Sequence, residues 1–216
     1  QAHAAGKVPE TFAGHPFERR LVKLCEAADD PIEMKEAVTG GKRLKTDAVF
    51  KLWTHPILVD VIEQLIGPEI LAHPQFAVRS KMAFQVRFPE IADDVFHQDS
   101  GFLTEESENT RMVNCWMPLV DVSQDMGAIQ FVRGSHKWGT LQRGNTANIG
   151  AEHYASEDVV SCPIGLGGAL LYHKETAHRS VTNTTDKARW SIDIRFSDLT
   201  ADSGRQVRGF VARSRA

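Results

Sequence analysis

Arg189-Trp190-Ser191-Ile192-Asp193-Ile194-Arg195-Phe196 is the stretch from which the architecture follows. Trp190, Ile192, Ile194 and Phe196 fall on one face of an extended strand, and Arg189, Ser191, Asp193 and Arg195 on the other. Serine and aspartate are poor choices for a barrel wall unless that face meets water or a wet cavity. Upstream lie further strand signals at Val113 to Val120, Ala128 to Val132, Val159 to Cys162 and Ala169 to Tyr172, separated by turn residues such as Gly127, Gly134, Gly165 and Asn183. Alternation recurs between Gln75 and Pro89. Phe76, Val78, Met82, Phe84, Val86 and Phe88 take the even positions, and Arg79, Lys81, Gln85 and Arg87 the odd ones. That polar face is either solvated or the lining of a polar cavity, and both readings stand.

The first third of the chain has a different period. From Pro16, the residues Phe17, Leu21, Leu24, Cys25 and Ala28 recur as on a helix, and Asp29-Asp30-Pro31 closes the run. Pro56 suits the first turn of a second helix, whose stripe is Ile57, Leu58, Val61, Ile62, Leu65 and Ile66 before Gly67-Pro68. Two helices followed by many short strands predict an α+β, mainly β chain with an antiparallel barrel or sandwich as its core. Its 216 residues suit a single domain, with residues 1–68 mostly helical and 69–216 forming the β core.

Composition excludes several functions. A net charge of -3 gives no electrostatic case for nucleic acid or an anionic membrane. No apolar run reaches membrane-spanning length, and Gln1 to Phe12 lacks the apolar centre of a signal peptide. Cys25, Cys115 and Cys162 are odd in number and widely spaced, which implies neither a disulfide framework nor a cysteine zinc site. A cytoplasmic location is therefore expected.

Phe96-His97-Gln98-Asp99-Ser100 is the first candidate for chemistry. On a strand, residues 97 and 99 share a face, where an imidazole and a carboxylate can hold one ion. The best downstream candidate for a third ligand is His178, in Thr176-Ala177-His178-Arg179-Ser180. Two histidines and one carboxylate on one side of a metal, with open positions opposite, suit non-haem Fe(II). By itself a His and an Asp two apart is a weak signal, and a surface hydrogen bond is the plainer reading. Arg189, eleven positions after His178, would hold a carboxylate in two parallel charge-assisted bonds if it faced a cavity, and otherwise pairs with a nearby acid.

Taken together, His97-Gln98-Asp99, Cys115-Trp116-Met117-Pro118-Leu119-Val120-Asp121, Gly127, Gly134-Ser135-His136-Lys137, His178-Arg179-Ser180-Val181-Thr182-Asn183 and Arg189 resemble the phytanoyl-CoA dioxygenase family. The resemblance covers roughly Gln85 to Phe196, and the order of its parts makes it more specific than any one motif. It implies a double-stranded β-helix (jelly-roll, cupin-like) core with the N-terminal helices packed outside. It implies Fe(II), 2-oxoglutarate and O2 as cofactor and co-substrates, acting on a small-molecule substrate. His97, Asp99 and His178 correspond to the catalytic iron triad, Arg189 to the arginine on the distal carboxylate of 2-oxoglutarate, and Ser180 to a hydroxyl assisting it. The implied reaction is hydroxylation of an unactivated C–H bond with release of succinate and CO2. A carboxylate at position 99, where related halogenating enzymes carry a small residue, argues for hydroxylation. Phe96, Arg133 and Gly168 depart from the family pattern without touching the triad.

Some residues have competing roles. His173 is the alternative third ligand, but only His178 stands in the His-x-Ser-x-x-Asn context at the family's distance from Arg189. Gln85 or Asn114 would donate to the 2-oxoglutarate carboxylate beside iron, or simply line the cavity. Trp116 reads as a core aromatic, His136 as structural in its turn, and His3, His15, His55, His73 and His153 as surface or cap residues. The polar, aperiodic stretches 101–111 and 139–158 are candidate lids. Two rival functions use the same barrel. A cupin-like metal hydrolase or isomerase needs the three ligands but not Arg189; a non-catalytic binding domain keeps the fold without turnover.

Overall fold

The computed structural model describes residues 6, 8–39, 45–83, 95–144 and 148–215. Among these residues four helices come first: α1 (Phe17–Glu26), α2 (Pro31–Thr39), α3 (Asp47–Trp53) and α4 (Pro56–Ile66). Two of these were not expected from the sequence. Ala27 caps α1, and Pro31 opens α2, because Asp30 Oδ1 accepts the amides of Ile32 and Glu33 at 2.8 and 2.9 Å while proline needs no amide partner there. Thr46 does the same for α3, its hydroxyl accepting from Val49 N at 3.4 Å. In α4 the buried face is Val59, Ile62 and Ile66, whereas Ile57, Val61 and Leu65 are exposed. The expected stripe is thus only half right: the helix is rotated, so its apolar residues span more than one face.

Nine strands follow among the described residues: β1 (Ile70–Ala72), β2 (Ala77–Lys81), β3 (Met112–Pro118), β4 (Ile129–Val132), β5 (Val159–Cys162), β6 (Leu170–His173), β7 (His178–Ser180), β8 (Arg189–Asp198) and β9 (Phe210–Arg213). All pairings among the described strands are antiparallel. One sheet runs β6-β3-β8-β1-β9, with β2 also on β8, and the other runs β5-β4-β7. The predicted mainly β, jelly-roll architecture is what forms. The part of the Gln75–Pro89 alternation beyond Ala83, including Gln85, lies outside the described residues.

Register explains the two faces of β8. Phe196 pairs with Val113, Ile194 with Cys115 and Ile192 with both Met117 and Val78, an outer apolar face against which α4 packs. Trp190, Ile192, Ile194 and Phe196 are all buried there. On the inner face Arg195 pairs with Asn114, Asp193 with Trp116, Ser191 with Arg79 and Arg189 with Lys81. The largest apolar cluster takes in the helices as well as the sheets. The helices cover the sheet's outer face, so the inner one is free to be polar. Of the two odd polar residues, Asp193 lines the inner cavity and Ser191 is buried beside it in the strand.

Candidate metal centre

His97 is placed by backbone bonds rather than by a long strand. It forms a bridge to β7, with His97 N donating to His178 O and His178 N to His97 O, both at 3.0 Å. The exchange brings the two imidazoles to 4.4 Å between ring centroids. Each Nδ1 lies against a carbonyl, 3.2 Å from Val95 O in His97 and 2.8 Å from Thr176 O in His178. Donation there leaves Nε2 as the ligating nitrogen in both rings.

Asp99 opens a 3-10 turn (Asp99–Phe102) whose Ser100 N donates to Lys174 O at 3.0 Å. Between the two ligands, Gln98 points the other way and is buried. Its Nε2 donates to Gly139 O and Glu175 O at 2.8 and 2.7 Å, and its Oε1 accepts from Leu141 N at 2.9 Å. The middle residue of His-x-Asp is therefore the clamp that fixes its neighbours. It also anchors the 139–141 end of one candidate lid, and Gly144 N to Gly101 O (2.9 Å) ties that loop to the other.

Ligand atoms of His97, Asp99 and His178 all lie within 4.8 Å of one another, close enough for one ion. His173 is apart from the cluster: it is exposed, with Nδ1 3.8 Å from Glu175 Oε2. Burial pushes the His178 imidazole down to about 4, so it is neutral and able to ligate at any ordinary pH. Burial is the largest single influence on the Asp99 carboxyl and would raise it, but the Arg195 guanidinium, His178 and His97 together outweigh it and hold the group below the usual carboxylate range. A carboxylate oxygen and two imidazole nitrogens are a donor set suited to a ferrous ion.

The cluster opens into a cavity of about 400 Å³ that Arg189, Ser180, Trp116 and Tyr172 also line. Arg189 is buried, with Nη1 donating to Ser180 Oγ and to Gly127 O, each at 2.7 Å. Lys81 adds Nζ bonds to Ser180 O at 2.8 Å and to Ser180 Oγ at 3.2 Å. The odd-numbered face of β2 is therefore cavity lining at Arg79 and scaffold at Lys81, not solvent. Gly127 has φ of +90°, and a Cβ there would stand 2.8 Å from Val181 O. Only glycine presents its carbonyl to Arg189 in that backbone.

Other expected residues fall elsewhere. Asn114 does not line the cavity; its Oδ1 accepts from Arg195 Nε at 3.0 Å. Trp116 is buried yet borders the cavity, so it is more than a core aromatic. His136 is exposed, and the structural member of its turn is Ser135, whose Oγ donates to Val132 O and accepts from Ala177 N. His73, expected at the surface, is fully buried. Tyr172 and Arg195 were not singled out. Tyr172 Oη lies 3.4 Å from His178 Nε2, and Arg195 contacts Asp99. Their inward alternation on β6 and β8 was the signal available.

Two facing antiparallel sheets enclosing a pair of imidazoles and a carboxylate define a cupin-type double-stranded β-helix with a facial ligand set. The model of the phytanoyl-CoA dioxygenase (PhyH) family matches residues 18–191, and the chain belongs to that family. It is 32% identical over 157 residues to phytanoyl-CoA dioxygenase domain-containing protein 1 of Danio rerio, covering 66% of this chain and 50% of that one. It is 28% identical over 171 residues to 1-deoxypentalenic acid 11-beta-hydroxylase of Streptomyces arenae, covering 71% of this chain and 58% of the other. Among solved structures, the non-heme alpha ketoglutarate dependent epimerase SnoN from nogalamycin biosynthesis superposes with a TM-score of 0.55 at 26% identity, over 74% of this chain and 63% of that one. The chain thus spans about half the length of the curated relatives it matches.

Proposed function

We propose that this chain is an Fe(II)- and 2-oxoglutarate-dependent dioxygenase that hydroxylates an unactivated C–H bond of a small molecule. The observation that carries the reading is the convergence of His97, Asp99 and His178 within 4.8 Å, in a cavity that the buried Arg189 also lines. A metal hydrolase or isomerase on the same barrel has no use for a buried guanidinium braced by Ser180 and Gly127. The relatives named as hydroxylase and dioxygenase-domain protein support the same reading.

In this reading His97, Asp99 and His178 hold the iron, and Arg189 pairs with the distal carboxylate of 2-oxoglutarate. Ser180 fixes the guanidinium, since its hydroxyl accepts from Arg189 Nη1. Tyr172, Trp116 and Ile129 wall the cavity and keep bulk water from the reacting groups. When bound, the iron supplies the redox chemistry by which 2-oxoglutarate and O2 yield succinate, CO2 and the hydroxylated product. A larger cavity of about 1330 Å³ shares Gln75 with the metal cavity and is walled by Phe50, Trp53, Phe76 and Phe210, which offers room for a substrate with an apolar body. No described helix is long and apolar enough to cross a membrane. A cytoplasmic location fits three free cysteines, of which Cys25 and Cys115 are pushed up to about 12 by burial and so are inert.

The test is an anaerobic absorption spectrum with ferrous ion and 2-oxoglutarate. A weak visible charge-transfer band, absent with either component alone, is expected. Iron binding without that band would favour a hydrolase or a binding domain. A screen of small molecules for stimulated succinate release then identifies the substrate.

A further inference from the structure

A carboxylate that completes a facial ligand set leaves more room on the metal when it offers one oxygen than when it offers two. Asp99 is held in a way that enforces the choice. Arg195 reaches it through two nitrogens, Nη2 at 2.8 Å and Nε at 3.3 Å, and both contacts fall on Oδ2 and neither on Oδ1. Arg195 is itself held from several sides. Its Nε also donates to Asn114 Oδ1 at 3.0 Å and its Nη1 to Gln75 O at 3.3 Å. Its backbone carbonyl accepts from His73 N at 2.9 Å and Trp53 Nε1 at 3.4 Å. The side chains of Arg195 and Asp99 are only 8% and 6% exposed, so no water layer loosens the pair.

We infer that Arg195 is a positioning residue for the metal centre: it pins Oδ2 of Asp99 so that only Oδ1 is offered to the ion. Asn114 braces Arg195 rather than touching 2-oxoglutarate. The inference rests on the metal-centre reading above and deepens it. With one oxygen from Asp99 and one nitrogen from each histidine, an ion held there would keep room for a chelating 2-oxo acid and for O2. Without Arg195 the carboxylate loses its fixed orientation, so Oδ1 holds the ion less well and the second oxygen competes for the place the oxo acid needs.

The test is titration of the full-length, metal-free protein with cobalt(II), read by its d–d absorption, for wild type, Arg195→Gln, Arg195→Lys and Asn114→Ala. Circular dichroism and thermal melting establish that each variant folds. Charge and positioning predict opposite signs. Removing a buried cation beside a dication site would by charge alone tighten metal binding, whereas loss of positioning weakens it, by about 10- to 100-fold for a residue supporting a ligand. Arg195→Gln is expected to bind cobalt about 10- to 100-fold more weakly, with a d–d spectrum that 2-oxoglutarate no longer shifts. Arg195→Lys, which keeps the charge but has a single nitrogen, is expected to fall between. Asn114→Ala, which loosens Arg195 without removing it, is expected to weaken cobalt binding and the spectral response to 2-oxoglutarate in the same direction as Arg195→Gln, by less. Cobalt binding by Arg195→Gln or Arg195→Lys as tight as wild type, with the wild-type spectrum, would overturn the inference while leaving the metal centre standing. If Arg195→Gln does not fold, Arg195→Lys decides the matter by the same criterion. Wild-type protein that takes up no cobalt would overturn both.

Discussion

Acidifying the metal-free protein from pH 7 to pH 5 is predicted to cost stability, with a defined share carried by His73. This imidazole is fully buried, and both nitrogens are used in the neutral form: Nε2 donates to Ser203 O at 2.7 Å and Nδ1 accepts from Gln75 N at 3.3 Å. A second proton would have to sit on Nδ1, facing an amide hydrogen. Burial pushes its pKa down to about 4, against the opposing pull of the Ser203 carbonyl. In the unfolded chain the group titrates near 6.5. Between those values the unfolded state binds more protons, so stability rises with pH; it is fully present above about 6.5 and lost as the pH falls toward 4. The whole separation corresponds to about 3 kcal/mol, of which about 2 kcal/mol is gone by pH 5. His178, also near 4, contributes with the same sign. Asp99, held below the usual carboxylate range, stays ionised throughout this window. Urea unfolding of wild type and His73→Gln at pH 7, 6 and 5 isolates the His73 share, since every other titrating group cancels in the comparison. His73→Gln is expected to be weaker at pH 7, having lost the acceptor for Gln75 N, yet to lose about 2 kcal/mol less than wild type on going to pH 5. An equal loss in both proteins would refute the reasoning.

The other predictions concern the site. His97→Ala, Asp99→Ala and His178→Ala should each abolish 2-oxoglutarate turnover to succinate, and full turnover by any one would show the ligand set to be wrong. Ser180→Ala removes the hydroxyl that accepts from Arg189, a bond to a charged group of about 1.5–3 kcal/mol, so the KM for 2-oxoglutarate should rise about 10- to 100-fold with little change in metal affinity. Gly127→Ala forces a Cβ to 2.8 Å from Val181 O at a φ of +90°; it should cost about 2 kcal/mol in denaturant unfolding and also raise that KM, because the carbonyl facing Arg189 must move. Ferrous ion at about 100 times its Kd should stabilise the folded protein by about 2.7 kcal/mol, a thermal shift of about 5–10 °C that chelator reverses and His178→Ala lacks.

Much of this molecule was legible because β8 alternates apolar and polar residues. In β8 the apolar and polar faces could be told apart from sequence, and Asp193 does line the cavity, whereas Ser191 is buried and does not. What escaped were elements too short to show a period. β7 has three residues, β1 three and β9 four, and each exists because a neighbouring strand offers it backbone partners. α2 and α3 were hidden for another reason. Asp30-Pro31 reads equally as a stop and as a start, and only the amides of Ile32 and Glu33 on Asp30 decide between them. In α4 the stripe was real, but hydrophobicity does not say which part of it the sheet will cover; Val59, Ile62 and Ile66 won the contact.

The site shows a similar boundary between composition and convergence. His97, Asp99, His178 and Arg189 could be named from spacing and family pattern, since each is a residue type with few alternative uses in such a context. Arg195 stands six positions after Arg189 on the same face, so its inward direction was readable while its purpose was not. Its purpose lies in Asp99, nearly a hundred positions away, and depends on register: β3 places Asn114 opposite Arg195, and the bridge from His97 to His178 carries residue 99 to the same depth. A shift of β8 by one residue would exchange its faces, turn Arg189 and Arg195 away from the cavity and bring Trp190 and Ile194 into it. The helices that seal the outer apolar face therefore act on the chemistry at a distance, because the register they stabilise is what holds two guanidinium groups beside a ferrous site.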